Sequence, residues 1–361
     1  MELNMKLNFV CNLAMLISLT VCIIQPALLD ATPLNGNYMV GGAGAYFPTL
    51  SAALEAANTE GLAGPTAFLL TSGTHEGPFE IDIENNEHSL SIYPLDEADV
   101  WLANPNSSST ENYVLKINNT SDIYLQGLKF NTSGSYSRAV WIHGDSDDLS
   151  IQSCQFHNDI SLNTSNREAI YVTADGSSDA DNLNVSLNAF YNGSAHIYTN
   201  TSSSLTTFSN WSIYLNYHSG GYYGLYLKRV FNLSINAMIS QNINTAVYLD
   251  ACGGDIDIRR NNIAANITGI YMNYCGNISS ASPGIVNNII RISGAGWYNP
   301  NADSDSQGIY LYFSDNIKIY HNSIHNESLT TGSVCLGTFG SDNLIRKNNL
   351  ASTGLGYTIF V

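Results

Sequence analysis

The sequence predicts an all-β solenoid: short strands wound into stacked coils, with one amphipathic helix covering the N-terminal end. Three observations predict it. A run of small, apolar, aromatic and apolar residues recurs as AVWI, AIYV, HIYT, GLYL, AVYL, GIYM and GIYL, and SVCL and GYTI continue it less faithfully. It sets Trp141, Tyr171, Tyr198, Tyr226, Tyr248, Tyr271 and Tyr310 at one repeat position. A second pattern follows downstream: apolar, free, apolar, two free positions, often Asn, one free, then a large apolar residue. It reads LSIQSCQF, LNVSLNAF, IDIRRNNI and IKIYHNSI, with IYLQGLKF also fitting and NLIRKNNL less exact. Composition agrees: only 12% of residues are charged, while Asn, Ser, Gly and Tyr abound, which favours β structure over a helical bundle.

Taken in chain order, residues 1–31 read as a signal peptide. Lys6 supplies a positive n-region, and an apolar core runs from about Leu13 to Ile24. That core is too short, and too closely followed by Gln25-Pro26, for a membrane span. Ala27 and Ala31 are the candidate cleavage positions; a lipoprotein reading of Cys22 is weakened by Val21, where a small residue is required. The expected location is secreted or cell surface, with no membrane span in the mature chain.

Residues 32–111 read as a capping region and the first coils. Leu50, Ala53, Leu54 and Ala57 make one helical face, with Thr49 as N-cap and Gly61 as stop. Such a helix covers the open edge and apolar interior of a first coil.

Residues 112–361 carry the repeats. The aromatic runs begin at 139, 169, 196, 224, 246, 269, 308, 333 and 356, so their separation varies from 22 to 39 residues. A minimal coil of about 22 residues with insertions confined to turns accounts for this. Leucine-rich repeats would need a Leu-Asn consensus and a helical segment, and a β-propeller would need longer four-stranded repeats. Strand alternation predicts that the aromatic residue points outward between inward aliphatic neighbours. Two residues further on, the same face holds His143, Thr173, Asn200, Lys228, Asp250, Asn273 and Tyr312, almost wholly polar as an outer face requires.

Asn188, Asn261, Asn322 and Asn348, with Asn216 and Asn288 in poorer copies, occupy the sixth place of the second pattern. They are expected to take the left-handed conformation at a corner and to hydrogen-bond along a ladder. Past the signal, Cys154, Cys252, Cys275 and Cys335 remain. Cys252 and Cys275 each lie six residues after a repeat start. Stacked coils about 4.8 Å apart would bring them within disulfide range; two stacked free thiols are the other reading.

GIYLYFSDNIKIYHNSI and AVYLDACGGDIDIRRNNI resemble the repeat of the right-handed parallel β-helix, a likeness that covers roughly residues 112 to 361. LNGNYMVGGAGAYFPTLSAALEAANTEGLAGPTAFLLTSGTHEGPFEI, residues 34–81, resembles the opening of β-helix proteins secreted by Bacteroidota. The resemblance implies that this segment forms the N-terminal end of the solenoid. Such proteins usually end in a C-terminal sorting domain, whereas this chain stops at GYTIFV as a strand begins. A C-terminally truncated member, open at that end and part of a larger surface protein, is expected.

Parallel β-helices include pectate lyases, polygalacturonases, alginate-modifying enzymes, phage tailspikes and many non-enzymatic surface proteins, so fold does not fix function. Glycoside hydrolysis needs carboxylates about 5–9.5 Å apart across a sugar. The outward columns offer Asp250, with Asp255 and Asp257 nearby. The polygalacturonase signature is missing, and Arg291-Ile292-Ser293 is only a partial echo of it. A lyase needs a base beside a carboxylate-neutralising cation, but Lys228 and His143 lie three coils apart. No catalytic residue is assigned.

Asp145, Asp147 and Asp148 fall in one turn and Asp175, Asp179 and Asp181 in the next coil's corresponding turn. Stacked, they could hold Ca2+, or they could simply be solvated loops. His321 and His325 span a corner and imply no shared metal geometry. Asn-x-Ser/Thr sequons such as Asn210, Asn232 and Asn266 would be glycan acceptors in a secretory eukaryotic protein; in a bacterial one, the reading preferred here, they follow from an Asn- and Ser-rich composition. With 13 basic against 30 acidic residues the formal charge is −17, which excludes nucleic acid and anionic membranes as partners.

The aromatic column from Trp141 to Tyr310 is thus the candidate ligand surface, a platform for sugar rings extended by Trp297 and Tyr298. Ring stacking alone is worth roughly 0.2–1 kcal/mol per cross-strand pair. The expected function is a non-catalytic glycan-binding or adhesion module. A polysaccharide lyase or glycoside hydrolase, and a structural spacer, are the alternatives.

Overall fold

The computed structural model describes residues 32–134, 138–158, 166–174, 179–201, 206–277, 283–294, 305–353 and 356–360. The expected signal peptide (1–31), Asp175, Trp297 and Tyr298 lie outside the described residues.

The architecture is the expected parallel β-helix. Three strand stacks run along it, and each complete coil contributes a strand to each. The first face is a 13-stranded sheet reaching from Leu34–Val40 to Leu344–Arg346. The second face and the aromatic face belong to one 20-stranded sheet, because strands Ile239–Asp250 and Asn262–Asn273 pass unbroken through the corner between them.

Alternation sends one apolar column inward from each face. On the first face Leu125, Ile151, Val185, Ile213, Ile235, Ile258, Ile285 and Ile319 are in register and buried. On the second, Leu102, Phe130, Phe156 and Phe190 stack, then His218 and Ser240 interrupt, then Ile263, Ile290 and Ile324 resume. Each buried aliphatic or aromatic side chain contributes about 1.5–3 kcal/mol. The small residue that opens most of the aromatic runs has a packing cause. A Cβ at Gly269 or Gly308 would meet the next coil's carbonyl oxygen at 2.5 or 2.3 Å and the side chain of Ile290 or Ile324 at 2.6 or 2.4 Å.

Helix α1, Leu50–Glu60, lies over the first coil as expected. Thr49 Oγ1 accepts from the Ala52 N–H at 3.1 Å, Gly61 ends it at φ 76°, and Leu50, Ala53, Leu54 and Ala57 are buried. Asn58 ties it to the coil, donating to Glu80 O and accepting from Asp82 N, both at 3.0 Å.

The corner asparagines form their ladder for a reason other than backbone conformation. The left-handed residue is the one before each: Leu187, Leu215, Arg260, Asn287, His321 and Lys347 all have positive φ. The ladder Asn spends its side chain on buried hydrogen bonds instead. Asn288 Oδ1 accepts from Asn261 N (3.0 Å) and Nδ2 (2.9 Å), while its Nδ2 donates to Ile258 O and to Asn322 Oδ1, each at 2.9 Å. The conformational role belongs to a second, exposed ladder of Asn182, Asn210 and Asn232, which have φ of 57°, 59° and 53° and bond in sequence at 3.1 Å.

Candidate functional site

The aromatic column is in register from coil to coil: Trp141, Tyr171, Tyr198, Tyr226, Tyr248, Tyr271 and Tyr310 are successive Cα partners. From Tyr171 to Tyr310 neighbouring rings stack with centroids 4.7–5.8 Å apart and planes within 1–24°. Tyr171 is buried and the others are half-buried.

This geometry decides what the column offers. Rings stacked face to face along the axis spend their faces on one another, so outward they present edges and phenolic hydroxyls. Desolvation, then the neighbouring Tyr226, raises the Tyr198 and Tyr248 phenols to about 12, so both remain hydrogen-bond donors at neutral pH.

At the N-terminal end cations cover the rings. Lys116 Nζ lies 5.3 Å from the Trp141 centroid and pairs with Glu80 at 2.8 Å. The Arg138 guanidinium sits 3.6 Å from the Tyr171 centroid, its Nε bound to Glu168 at 2.8 Å, and both partners are buried. Sequence reasoning missed this pair, which occupies the same strand position, three residues before the aromatic residue, in adjacent coils.

The second column stands beside the first as expected, Lys228, Asp250, Asn273 and Tyr312 being register partners. Asp250 accepts from Asn273 Nδ2 at 2.8 Å and pairs with Lys228 at 3.6 Å. Trp141 Nε1 donates to Thr173 Oγ1 at 2.7 Å, with His143 Nδ1 2.9 Å from the same oxygen. Lys228 and His143 stay apart, and Asp257 bonds to Arg259. Arg291 forms a two-pronged pair with Glu327, whose Oε1 also lies 3.4 Å from His325 Nδ1. His321 sits at the corner and joins neither.

The acidic turns do meet. Carboxylate oxygens of Asp145, Asp147 and Asp179 lie within 4.8 Å of one another. Desolvation first, then Asp181, Asp147 and Asp145, raises Asp179 to about 6, and desolvation also raises Asp147. Three convergent hard oxygen donors fit the ligand preference of Ca2+. Asp148 instead accepts from Asn182 at 3.0 Å, and Asp181 from Ser209 N at 2.5 Å.

Cys252 and Cys275 occupy stacked positions, with Gly276 N donating to Cys252 O at 3.1 Å, and both thiols are buried and free in this structure. Burial, then the adjoining Cys252, pushes the Cys275 thiol well above its usual range.

No family model and no curated protein matches the chain. Among solved structures it is similar to a GH136 lacto-N-biosidase from Eubacterium ramulus, with a TM-score of 0.52 and 11% identity over 90% of this chain and 68% of that one. An alginate lyase from Paenibacillus sp. gives 0.41 and 11% identity, covering 90% of this chain and 99% of that one. A rhamnogalacturonan lyase gives 0.37 and 10%, covering 88% and 82%. The first likeness establishes a shared β-helix fold, found there in a carbohydrate-active enzyme; identities this low carry fold alone.

Proposed function

We propose that the chain is an exported carbohydrate-binding β-helix that takes an extended glycan along its aromatic face. One observation carries the reading: a row of phenolic hydroxyls from Tyr198 to Tyr310, repeated once per coil, borders a parallel row of amide, ammonium and carboxylate groups. A sugar chain laid along the axis meets a phenolic hydroxyl at each coil with a polar side chain of varying chemistry beside it. Fold similarity to a glycoside hydrolase supports carbohydrate as the ligand class.

The test is affinity electrophoresis through immobilised polysaccharides. A Tyr226→Phe/Tyr248→Phe/Tyr271→Phe variant keeps the ring stack and removes three hydroxyls. It should keep its Tm and lose most of its retardation; retardation equal to the parent protein would refute the reading. Export by residues 1–31 belongs to the same proposal. Recovery of the chain only from cytoplasm, with Met1 intact, would contradict it.

A second reading, glycoside hydrolysis, is favoured by the acidic turns. Asp179, raised to about 6 by desolvation and its acidic neighbours, stands beside Asp145 and Asp147, and a carboxyl held in that range suits a general acid. Release of reducing ends that Asp179→Asn abolishes would establish it. Cleavage unaffected by that substitution, or no cleavage, would remove it.

A further inference from the structure

Within the aromatic ladder the faces from Tyr171 to Tyr271 are occupied by neighbouring rings, and Tyr310 ends the stack over Gly337. Exposed ring faces lie one corner away. Tyr274 and Phe313 follow the second polar column at the turn leaving the aromatic face; they are 60% and 45% exposed, with centroids 5.3 Å apart and planes within 10°. Tyr312 packs edge-on to Phe313 at 4.5 Å, and Phe339, 48% exposed, closes the group at 6.2–6.3 Å from both.

Two features separate this cluster from stray surface hydrophobics. The corner is left-handed, which suits Gly or Asn: Gly144 has φ 71° and Asn119 has φ 46° at the equivalent turns of earlier coils. Arg229 (φ 58°), Ala251 (φ 53°), Tyr274 (φ 51°) and Phe313 (φ 45°) hold that conformation at this corner without Gly or Asn, and Tyr274 and Phe313 place exposed aromatic rings there. The stack also stops after two rings. Ala251 precedes Tyr274 in the corner column, so Tyr274 keeps one face without an aromatic neighbour, whereas Tyr312 and Phe339 pack around Phe313.

We propose that Tyr274, over Ala251, is a stacking subsite for a pyranose ring of a neutral glycan, with Asp250, Asn273 and Lys228 meeting its hydroxyls. Aromatic faces are electron-rich and attract the polarised C–H bonds of a sugar face. Asp250 and Asn273 sit one residue before Ala251 and Tyr274, and Lys228 pairs with Asp250. Charge selects the class. Asp250 lies before the ring pair and Asp315 after it, Lys228 is already paired with Asp250, Arg229 stands one coil before Ala251 in the corner column, and the chain carries −17 overall, so the balance of charge disfavours a uronate chain.

This deepens the glycan-binding reading and rests on it, and the experiment separates the two. The intact protein is titrated with neutral hexasaccharides of glucan, xylan, mannan and galactan type and with oligouronates of equal length. Tyr274→Asn removes the ring and suits the left-handed corner; Ala251→Phe fills the open face while leaving Tyr274 in place. Both should weaken neutral-glycan binding by about tenfold or more, with the Tm of Tyr274→Asn unchanged or raised. Tyr124→Ala, an exposed ring on the first face, should stay within about twofold of the parent. Parental affinity in both corner variants, or preference for oligouronates, overturns the subsite and leaves the glycan reading standing. Failure of the parent protein to bind any probe overturns both.

Discussion

Replacing Asn288 by Leu tests the corner ladder where the structure gives the most detail. The substitution keeps side-chain size and burial but removes an acceptor and a donor. Asn261 N–H and one Asn261 Nδ2–H lose their acceptor, and Ile258 O loses its donor. Asn322 Oδ1 still receives the backbone N–H of residue 288 at 2.9 Å. Two buried donors are therefore orphaned, each costing about 1–3 kcal/mol, against which a better-buried aliphatic side chain returns about 1–2. With the unpaired Ile258 O costing a similar amount, a net loss of at least about 1 kcal/mol follows. Asn348→Leu is the comparison at the half-buried last rung: the Asn322 groups it orphans are buried like those of Asn261, but the place of the lost amide borders solvent, so its loss should be smaller. Urea unfolding followed by far-UV circular dichroism reads both. Equal losses for the two variants, or a loss below about 1 kcal/mol at Asn288, would show that the corner is held by packing rather than by the amide ladder.

Three further outcomes are expected. Desolvation holds His196 down to about 3 and, with His196 as a second cause, His218 well below its ordinary value. Folded pKa values below the unfolded 6.5 mean the contribution is intact above pH 6.5 and drains as pH falls; between 6.5 and 4 it is about 3 kcal/mol for His196 alone. The variant His196→Ala/His218→Phe, which extends the Phe130–Phe156–Phe190 stack, should remove that acid loss in thermal melts; an unchanged pH slope would contradict the assignment. Asp179 has the opposite sign: its folded pKa of about 6 lies above the ordinary 3.8, so its contribution is present below about pH 4 and lost as pH rises to 6. Ca2+ at pH 7 should offset that repulsion and raise the Tm, and a Tm rise of equal size in Asp179→Asn would sink the cation site. Finally, mild oxidation should link Cys252 to Cys275 and remove two thiols from a count under denaturing conditions. Two unpaired thiols at those positions after oxidation would exclude the bridge.

The coil register was legible because it is written in local chemistry. The helix face Leu50–Ala57, its Thr49 cap and its Gly61 stop needed only a 3.6-residue period and capping rules. The outward aromatic column and its polar companion needed only strand alternation. Asn288 and its equivalents were found by spacing but misread in cause, since an Asn near a tight turn looks the same whether its backbone or its amide is in demand. The buried pairs Arg138–Glu168 and His196–His218 were not legible, because their partners lie 30 and 22 residues apart and meet only when coils stack.

By itself, then, the sequence determined the coil: which residues alternate, where the chain turns and which aromatic residues share a face, all consequences of backbone geometry acting over a few residues. What those aromatic residues do was decided only by the tertiary structure. Stacking at one strand spacing turns the faces of Tyr171 to Tyr310 towards one another, while Ala251 leaves one face of Tyr274 without an aromatic neighbour. Whether a ring has a neighbour one coil away is a property of two residues more than twenty positions apart, and only the winding of the chain brings them together.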